Sequence, residues 1–398
     1  MESRYEPVCE LWEEAMYDAA NVQKIVEPLK ETEAESESRR QLSARAVDLL
    51  HQSGATRIVA PAAYGGYELP VRTLVEAERA IAHGSTAASW VLMVCAAHTF
   101  IAGRMERRGQ DEIFGGHPGM LIPGVPSLRG TCQRTRGGYI LNGRWPYASG
   151  ADHGDWVLVG CKGIRNEADE PCPSLIVVMP KKDAVIDDTW FTLGMRGTGS
   201  KDVVLENTFI PEHYAVPMIE AQMGTVPGVE SPLYRLPIRP ALATMLLGTI
   251  VGMADRGLQL FIDKTRGRRD VYTGAMKSDN AGVQRRVAEA SVEISCAWAL
   301  TQQNCDLLED AMLHEPPMPA AKRAQVRWNA AYATELCRRA CNRLFEGAGA
   351  GAAHDSHSMQ IFFRDMNTAS HHAMLDFDVN VEIQGKSLLG VKLDDAWV

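Results

Sequence analysis

The chain has 398 residues, 45% of them hydrophobic and 23% charged, an ordinary globular composition with enough length for two or three units and a buried interior. Its net charge of −9 argues against nucleic acid or an anionic membrane as the main partner, since both favour basic patches, and leaves small-molecule chemistry open. Nine scattered cysteines, Cys9 the first, form no CxxC pair, which speaks against structural zinc or any other metal centre and for reduced thiols in a cytoplasm. The N-terminal MESRYEPVCELWEEAM is acidic and lacks the basic start and apolar core of a signal peptide.

From about residue 10 to 118 the periodicity is helical. In ESRRQLSARAVDLLHQSGA, Leu42, Val47, Leu49 and Leu50 recur at helical spacing and predict a helix that Gly54 ends. PAAYGGYELP is a turn-rich connector, and TLVEAERAIAHGSTAASWVLMVCAAHTFIAGRM resumes helix in at least two pieces broken near Gly84. Between about 119 and 225 the texture changes. GGYILNGRWPYASG, DWVLVGCK, SLIVVMP and DVVLENTFIP are β-branched or alternating runs bounded by Gly, Pro, Asn and Asp, which predict a small antiparallel β domain.

From about 238 helical periodicity returns. VQRRVAEASVEISCAWALTQQNCDLLEDAML and AQVRWNAAYATELCRRACNRLFEGAG are separated by Pro316, Pro317 and Pro319. LATMLLGTIVGMA, from Leu242, is short of the roughly 20 residues that span a bilayer and predicts a buried helix. Its apolar content exceeds what one helical face needs, so part of it is expected between subunits. The fold class is α+β, mainly α, with expected boundaries at 1–118, 119–230 and 231–398. EGAGAGAAH loosely matches a dinucleotide fingerprint, but a helix precedes it and no βαβ unit follows. P-loop, HExxH and GxSxG motifs are absent, so kinase and hydrolase chemistry lack support.

Four stretches, PAAYGGYEL, GRWPYASGADHGDWVLVG, GMRGTGSKDVVLENTFIPEH and the Gly-rich turn leading into FFRD, together with the helix–β–helix order, resemble the acyl-CoA dehydrogenase superfamily over nearly the whole chain. The resemblance implies two helical domains around a β domain, flavin at the seam, and a homotetramer. In dehydrogenases of the common type a catalytic glutamate follows the Arg-Asp pair by about two helical turns. Here Ser370-His371-His372-Ala373 stands in that place, with no carboxylate. That substitution is similar to the branch of two-component flavin-dependent monooxygenases, which includes p-hydroxyphenylacetate hydroxylases, secosteroid phenol hydroxylases and dibenzothiophene monooxygenases.

That resemblance implies reduced FMN or FAD and O2 as cofactors, delivered by a separate flavin reductase that alone uses NAD(P)H, and reaction through a C4a-hydroperoxide. It implies that His372, or His371 as its competitor, takes the proton of a phenolic substrate. It further implies that His98 donates to the peroxide and that Ser149 bonds the flavin near N5. The bland alternatives are a core histidine at His98 and a turn serine at Ser149. For flavin binding the resemblance points to Trp145, Gly124 in its Ile-Pro-Gly-Val segment, Thr198 and Ser200. Arg266 and Arg268 resemble a segment that reaches a neighbouring subunit's flavin phosphate, with a solvated basic cluster as the alternative. Other readings are N- or S-oxygenation within the branch, an acyl-CoA dehydrogenase or oxidase using Asp376 or Asp378, and a flavin-binding protein without activity.

Overall fold

The computed structural model describes residues 17–398 except 167, 315–316, 356 and 395–397. Cys9, the N-terminal stretch read for a signal, and Pro316 lie outside the described residues. Six helices come first: α1 (Ala19–Lys30), α2 (Glu33–Arg39), α3 (Ala44–Gln52), α4 (Val71–Ala82), α5 (Thr86–Ala102) and α6 (Arg107–Phe114). The helix expected across residues 37–54 is two. Arg40 turns left-handed at φ 56°, and Ser43 starts α3 by accepting the Ala46 N–H, satisfying a donor that the new helix leaves unpaired. The break near Gly84 occurs as expected, with Ser85 capping α5 through the Ala88 N–H.

A seven-stranded sheet follows: β1 (Gly124–Thr135), β2 (Gly138–Ala148), β3 (Trp156–Gly163), β4 (Leu175–Pro180), β5 (Val185–Asp187), β6 (Lys201–Pro211) and β7 (Ala215–Pro217), in the order β5-β6-β2-β1-β3-β4-β7. The antiparallel expectation holds for every pair except one: β1 and β3 run parallel, Gly124 opposite Leu158 and Cys132 opposite Gly163. The reason is topological. β2 returns along β1 and ends beside its start, so residues 149–155 cross that start and launch β3 in the direction of β1. This crossing loop carries Ser149.

After the short α7 (Met218–Met223) come five long or medium helices: α8 (Ile238–Thr265), α9 (Ala281–Leu313), α10 (Ala320–Ala348), α11 (Ser358–Ala369) and α12 (Phe377–Leu388). α8 is long and apolar enough to cross a bilayer by length and composition, yet most of it is buried within the protein. Met245, Leu246, Leu247, Ile250, Val251 and Met253 are all inaccessible to solvent, so the stretch expected between subunits is consumed inside the chain. Among the exposed apolar residues are Val379, Val381 and Leu388 on α12 and Leu389 just beyond it. No strand precedes the EGAGAGAAH segment; it closes α10 and forms a single 3₁₀ turn at Ala350–Ala353.

Candidate active site

The site forms where α5, the crossing loop, residues 194–200 and the end of α11 meet. α5 is buried along almost its full length, so Trp90 and His98, two turns apart, are held by packing on all sides. The crossing loop is pressed onto this helix: a Cβ at Gly150, whose φ is 77°, would lie 2.8 Å from the Val91 side chain. Residues 194–200 are fixed from the other direction by α11. A Cβ at Gly194 would lie 2.2 Å from the Arg364 carbonyl oxygen, and the Met195 N–H donates to Asp365 Oδ1 at 2.6 Å. Asp365 Oδ2 also accepts from Thr86 Oγ1 of α5 at 2.9 Å, so one buried carboxylate ties three elements together. Two non-glycine residues in left-handed backbone, Tyr147 (φ 75°) and Met195 (φ 54°), flank the site, as strained residues at functional sites often do.

Three hydroxyls form a chain inside this frame. Thr198 Oγ1 lies 2.8 Å from the Met195 carbonyl oxygen and 2.6 Å from Ser200 Oγ, and Ser200 Oγ lies 2.7 Å from Ser149 Oγ. The indole N–H of Trp90 donates to Ser149 Oγ at 3.2 Å. All three hydroxyl residues are buried. The alternative of Ser149 as a turn serine bonded to its own backbone is not what forms; its hydroxyl is engaged with α5 and with Ser200 of the 194–200 segment.

The two histidines differ in which ring nitrogen carries the proton. His98 Nδ1–H donates to the Ile122 carbonyl at 2.7 Å, leaving Nε2 with a free lone pair in the neutral ring. His372 Nδ1 instead accepts from the Met374 N–H at 3.3 Å, so its neutral ring carries the proton on Nε2. His372 packs edge-on against Trp90, with ring centroids 5.8 Å apart. Burial pushes the His98 pKa down to about 4, helped slightly by the nearby His372. Part of His372's surface stays open, but the enclosure of its ring also lowers its pKa to about 4. Both rings are neutral at pH 7, one offering an acceptor and the other a donor. His371 points away: it is exposed, and its Nδ1–H donates to the Asn367 carbonyl at 2.6 Å.

Several expected residues stand elsewhere. Trp145 is a correction: its side chain is fully buried in the sheet, its indole N–H donates to the Gly160 carbonyl at 2.7 Å, and Gly130 lacks a Cβ to make room for its ring. It is a core residue with its one polar atom already paired, so nothing remains of it to hold a ligand. Gly124 serves the parallel pairing, since a Cβ there would lie 2.0 Å from the Leu158 carbonyl oxygen. Arg266 is exposed beside Asp263, and Arg268 donates to the Ala348 carbonyl at 2.8 Å, where α10 ends; neither joins the group around Ser149. Asp376 and Asp378 are exposed, and Asp376 caps α12 through the Val379 N–H. Trp90 and Asp365 were not singled out as site residues from the sequence, although Trp90 lies eight positions before His98 and Asp365 belongs to the Arg-Asp pair.

The fold family implies flavin, and the residues fit it. Ser370 Oγ, beside the histidine pair, is buried with no hydrogen-bond partner among the described residues. Ser149 retains a lone pair. Tyr147, two residues before Ser149, leaves 65% of its surface exposed, and its ring meets Trp190 edge-on. A planar apolar group with a hydrogen-bonding edge suits such a surface. The described cysteines are free thiols, and no group of metal ligands occurs among the described residues.

Residues 245–377 match the family model for the acyl-CoA dehydrogenase C-terminal domain. Over 378 residues the chain is 28% identical to the oxygenase subunit HsaA of a flavin-dependent monooxygenase from Rhodococcus jostii (strain RHA1), covering 94% of this chain and 98% of that protein. It is 29% identical over 384 residues to the oxygenase component of p-hydroxyphenylacetate 3-hydroxylase from Acinetobacter baumannii, covering 95% and 90%. The solved structure of XiaF from Streptomyces sp., in complex with FADH2 and glycerol, superposes with a TM-score of 0.89 at 29% identity, covering 97% and 98% of the two chains. In its C-terminal part the chain is thus similar to the acyl-CoA dehydrogenase family, and over nearly its whole length it is similar to oxygenase components of flavin-dependent monooxygenases and shares their architecture.

Proposed function

We propose that this chain is the oxygenase component of a two-component system: it receives reduced FMN or FAD from a separate reductase and transfers one atom of O2 to a small phenolic or polycyclic aromatic substrate. The observation that carries the reading is the pair of enclosed, neutral imidazoles of opposite polarity beside Ser149. Reduced flavin, when bound, supplies the electrons that activate O2. The protein must exclude water, orient the substrate hydroxyl and manage its proton.

His98 Nε2 accepts the substrate hydroxyl and His372 Nε2–H donates, which exchanges the roles that the family resemblance suggested for the two rings. The exchange follows from the Nδ1 partners, since a ring nitrogen that already accepts an N–H leaves the proton on the other one. With a pKa of about 4, His98 is a weak base. Against a phenol near 10 the gap is about 6 units, on the order of 8 kcal/mol, so the proton stays on the hydroxyl until oxygen transfer makes the group acidic. His98 therefore orients first and accepts the proton late. His371, facing solvent, has no part in this. Thr198, Ser200 and Ser149 line the edge that meets the flavin, and Arg266 and Arg268 are offered to a neighbouring subunit's flavin phosphate.

The exposed apolar residues of α12 support assembly into a homotetramer, and the scattered cysteines, free where described, support a cytoplasmic location. The three regions of different texture support domains at 1–118, 119–230 and 231–398. The dehydrogenase reading rested on Asp376 or Asp378, and both are exposed to solvent. Turnover with NADH alone against NADH plus a flavin reductase tests the proposal: product should form only with the reductase. Efficient NADH oxidation by the chain by itself, or α,β-desaturation of an acyl-CoA with an artificial acceptor, overturns it.

A further inference from the structure

Away from the site, two thiols of the sheet meet. Cys132 lies on β1 and Cys172 just before β4, and their sulfurs are 3.8 Å apart, in van der Waals contact. Both lie near the Pro173 carbonyl oxygen, at 3.6 and 3.5 Å. The backbone holds them there. Cys132 pairs with Gly163 across the parallel β1–β3 seam, and a Cβ on Gly163 would lie 1.9 Å from the Cys172 carbonyl oxygen. A side chain at Gly163 would therefore push Cys172 off its seat beside Cys132. The chain leaving β3 is also fastened to β1. The Ile164 N–H donates to the Cys132 carbonyl at 2.9 Å, and the Asn166 side-chain amide donates to the Arg134 carbonyl at 3.3 Å. The two thiols differ in access: Cys132 is fully buried and Cys172 is partly exposed. Burial raises both above the ordinary thiol value. At Cys172 the hydrogen bond with Cys132 and the charge of Arg134 pull the value back, whereas at Cys132 the neighbouring thiols push it further up. Cys172 is thus the one that meets solvent and ionises first.

We propose that Cys132 and Cys172 are a modification site for hydrogen peroxide, which joins them in a reversible disulfide with Cys172 as the attacking thiol and Cys132 as the resolving one. In the first step the Cys172 thiolate attacks one peroxide oxygen. The O–O bond breaks, an S–O bond forms, and the departing hydroxide takes up a proton as water. Cys172 is oxidised by two electrons to the sulfenic acid and the peroxide is reduced. In the second step the Cys132 sulfur attacks the Cys172 sulfur. The S–S bond forms, the S–O bond breaks, and the Cys132 proton leaves with the hydroxide as a second water. From 3.8 Å the sulfurs close by only about 1.8 Å to bonding distance. Reduced flavin and O2 are one source of the peroxide, released when no substrate intercepts the oxygen. The disulfide itself does not depend on the flavin reading.

Peptide mapping tests it. The purified, fully reduced chain is freed of reductant, treated with hydrogen peroxide while folded, alkylated under denaturing conditions and analysed by mass spectrometry without reduction. The wild type should lose about 2 Da, two hydrogens, in a single link between the Cys132 and Cys172 peptides, and dithiothreitol should reverse it. The link should form faster as the pH is raised, because the thiolate is the attacking form. Cys172→Ser should leave Cys132 free to be alkylated after the same treatment. Cys132→Ala should let Cys172 climb to sulfinic and sulfonic acid, which dithiothreitol does not reverse. Should that buried variant not fold, the wild-type map and Cys172→Ser decide by themselves. Wild-type Cys172 reaching sulfinic acid while Cys132 stays alkylatable overturns the proposal. So does a link from either residue to the buried Cys161 of β3, or Cys132 oxidised as readily in Cys172→Ser as in the wild type.

Discussion

His98→Asn separates the hydrogen bond of His98 from its titration. The asparagine amide can still donate to the Ile122 carbonyl, as His98 Nδ1–H does at 2.7 Å, but it cannot take a proton. In the folded wild type the His98 pKa is lowered from 6.5 to about 4 by burial. The unfolded chain therefore binds the proton first as pH falls, and the folded state loses stability between the unfolded and folded values. At pH 7 the loss is small. At about pH 4.5 it amounts to roughly 2.5 kcal/mol, since each unit of pKa separation contributes about 1.4 kcal/mol. The variant escapes that loss while sharing every other titration. Urea unfolding of both proteins at the two pH values should show the wild type falling behind by roughly 2.5 kcal/mol. Parallel losses, within about 0.5 kcal/mol, would mean that His98 titrates like a free histidine. The enclosure of the His98 ring on which the account depends would then be wrong.

Further outcomes follow from the same geometry. His372→Ala should divert reduced flavin to hydrogen peroxide and lower product formation by about 10²–10⁴-fold, while His371→Ala leaves product formation near wild type; product and peroxide assays side by side would show equal effects if the inward assignment of His372 is wrong. Glu78 is buried against Gly248 with both carboxylate oxygens unpartnered, and burial raises its pKa well above 4.5. Its folded value exceeds its unfolded one, so stability falls as pH rises above about 4.5, and Glu78→Gln should gain on the wild type in that range. Melting curves that stay parallel at acid and alkaline pH would contradict that. Light scattering should return a tetramer that Leu388→Asp with Leu389→Asp weakens, and a fully active wild-type monomer would remove the neighbouring-subunit role of Arg268.

The helical parts of the fold were legible because their apolar residues recur with the helix period, as in residues 71–102 and 281–348. Strand β1 was not. It lies in the middle of the sheet, yet GVPSLRGTCQRT alternates poorly, and its place is secured by backbone pairing on both edges. The parallel pairing of β1 with β3 depends on where a seven-residue loop crosses, which no local pattern records. Ser149, His98 and His372 could be singled out through family resemblance, and they do lie together. Trp145 was misread because an aromatic residue near a loop looks alike whether it faces a ligand or, with Gly130 opening space for it, the core. The hydroxyl chain was out of reach from sequence: it ends on the Met195 carbonyl, in a segment held through the Met195 N–H by Asp365, 170 positions away.

The central claim is that one atom of O2 reaches an organic substrate through flavin reduced elsewhere. Incubating the purified chain with chemically reduced flavin, a phenolic substrate and ¹⁸O2, with no nicotinamide present, tests it directly by mass spectrometry of the product. The account predicts a hydroxylated product carrying a single ¹⁸O. A product that takes its oxygen from water, or full recovery of the oxygen as hydrogen peroxide across a panel of phenolic and polycyclic aromatic substrates, would contradict it.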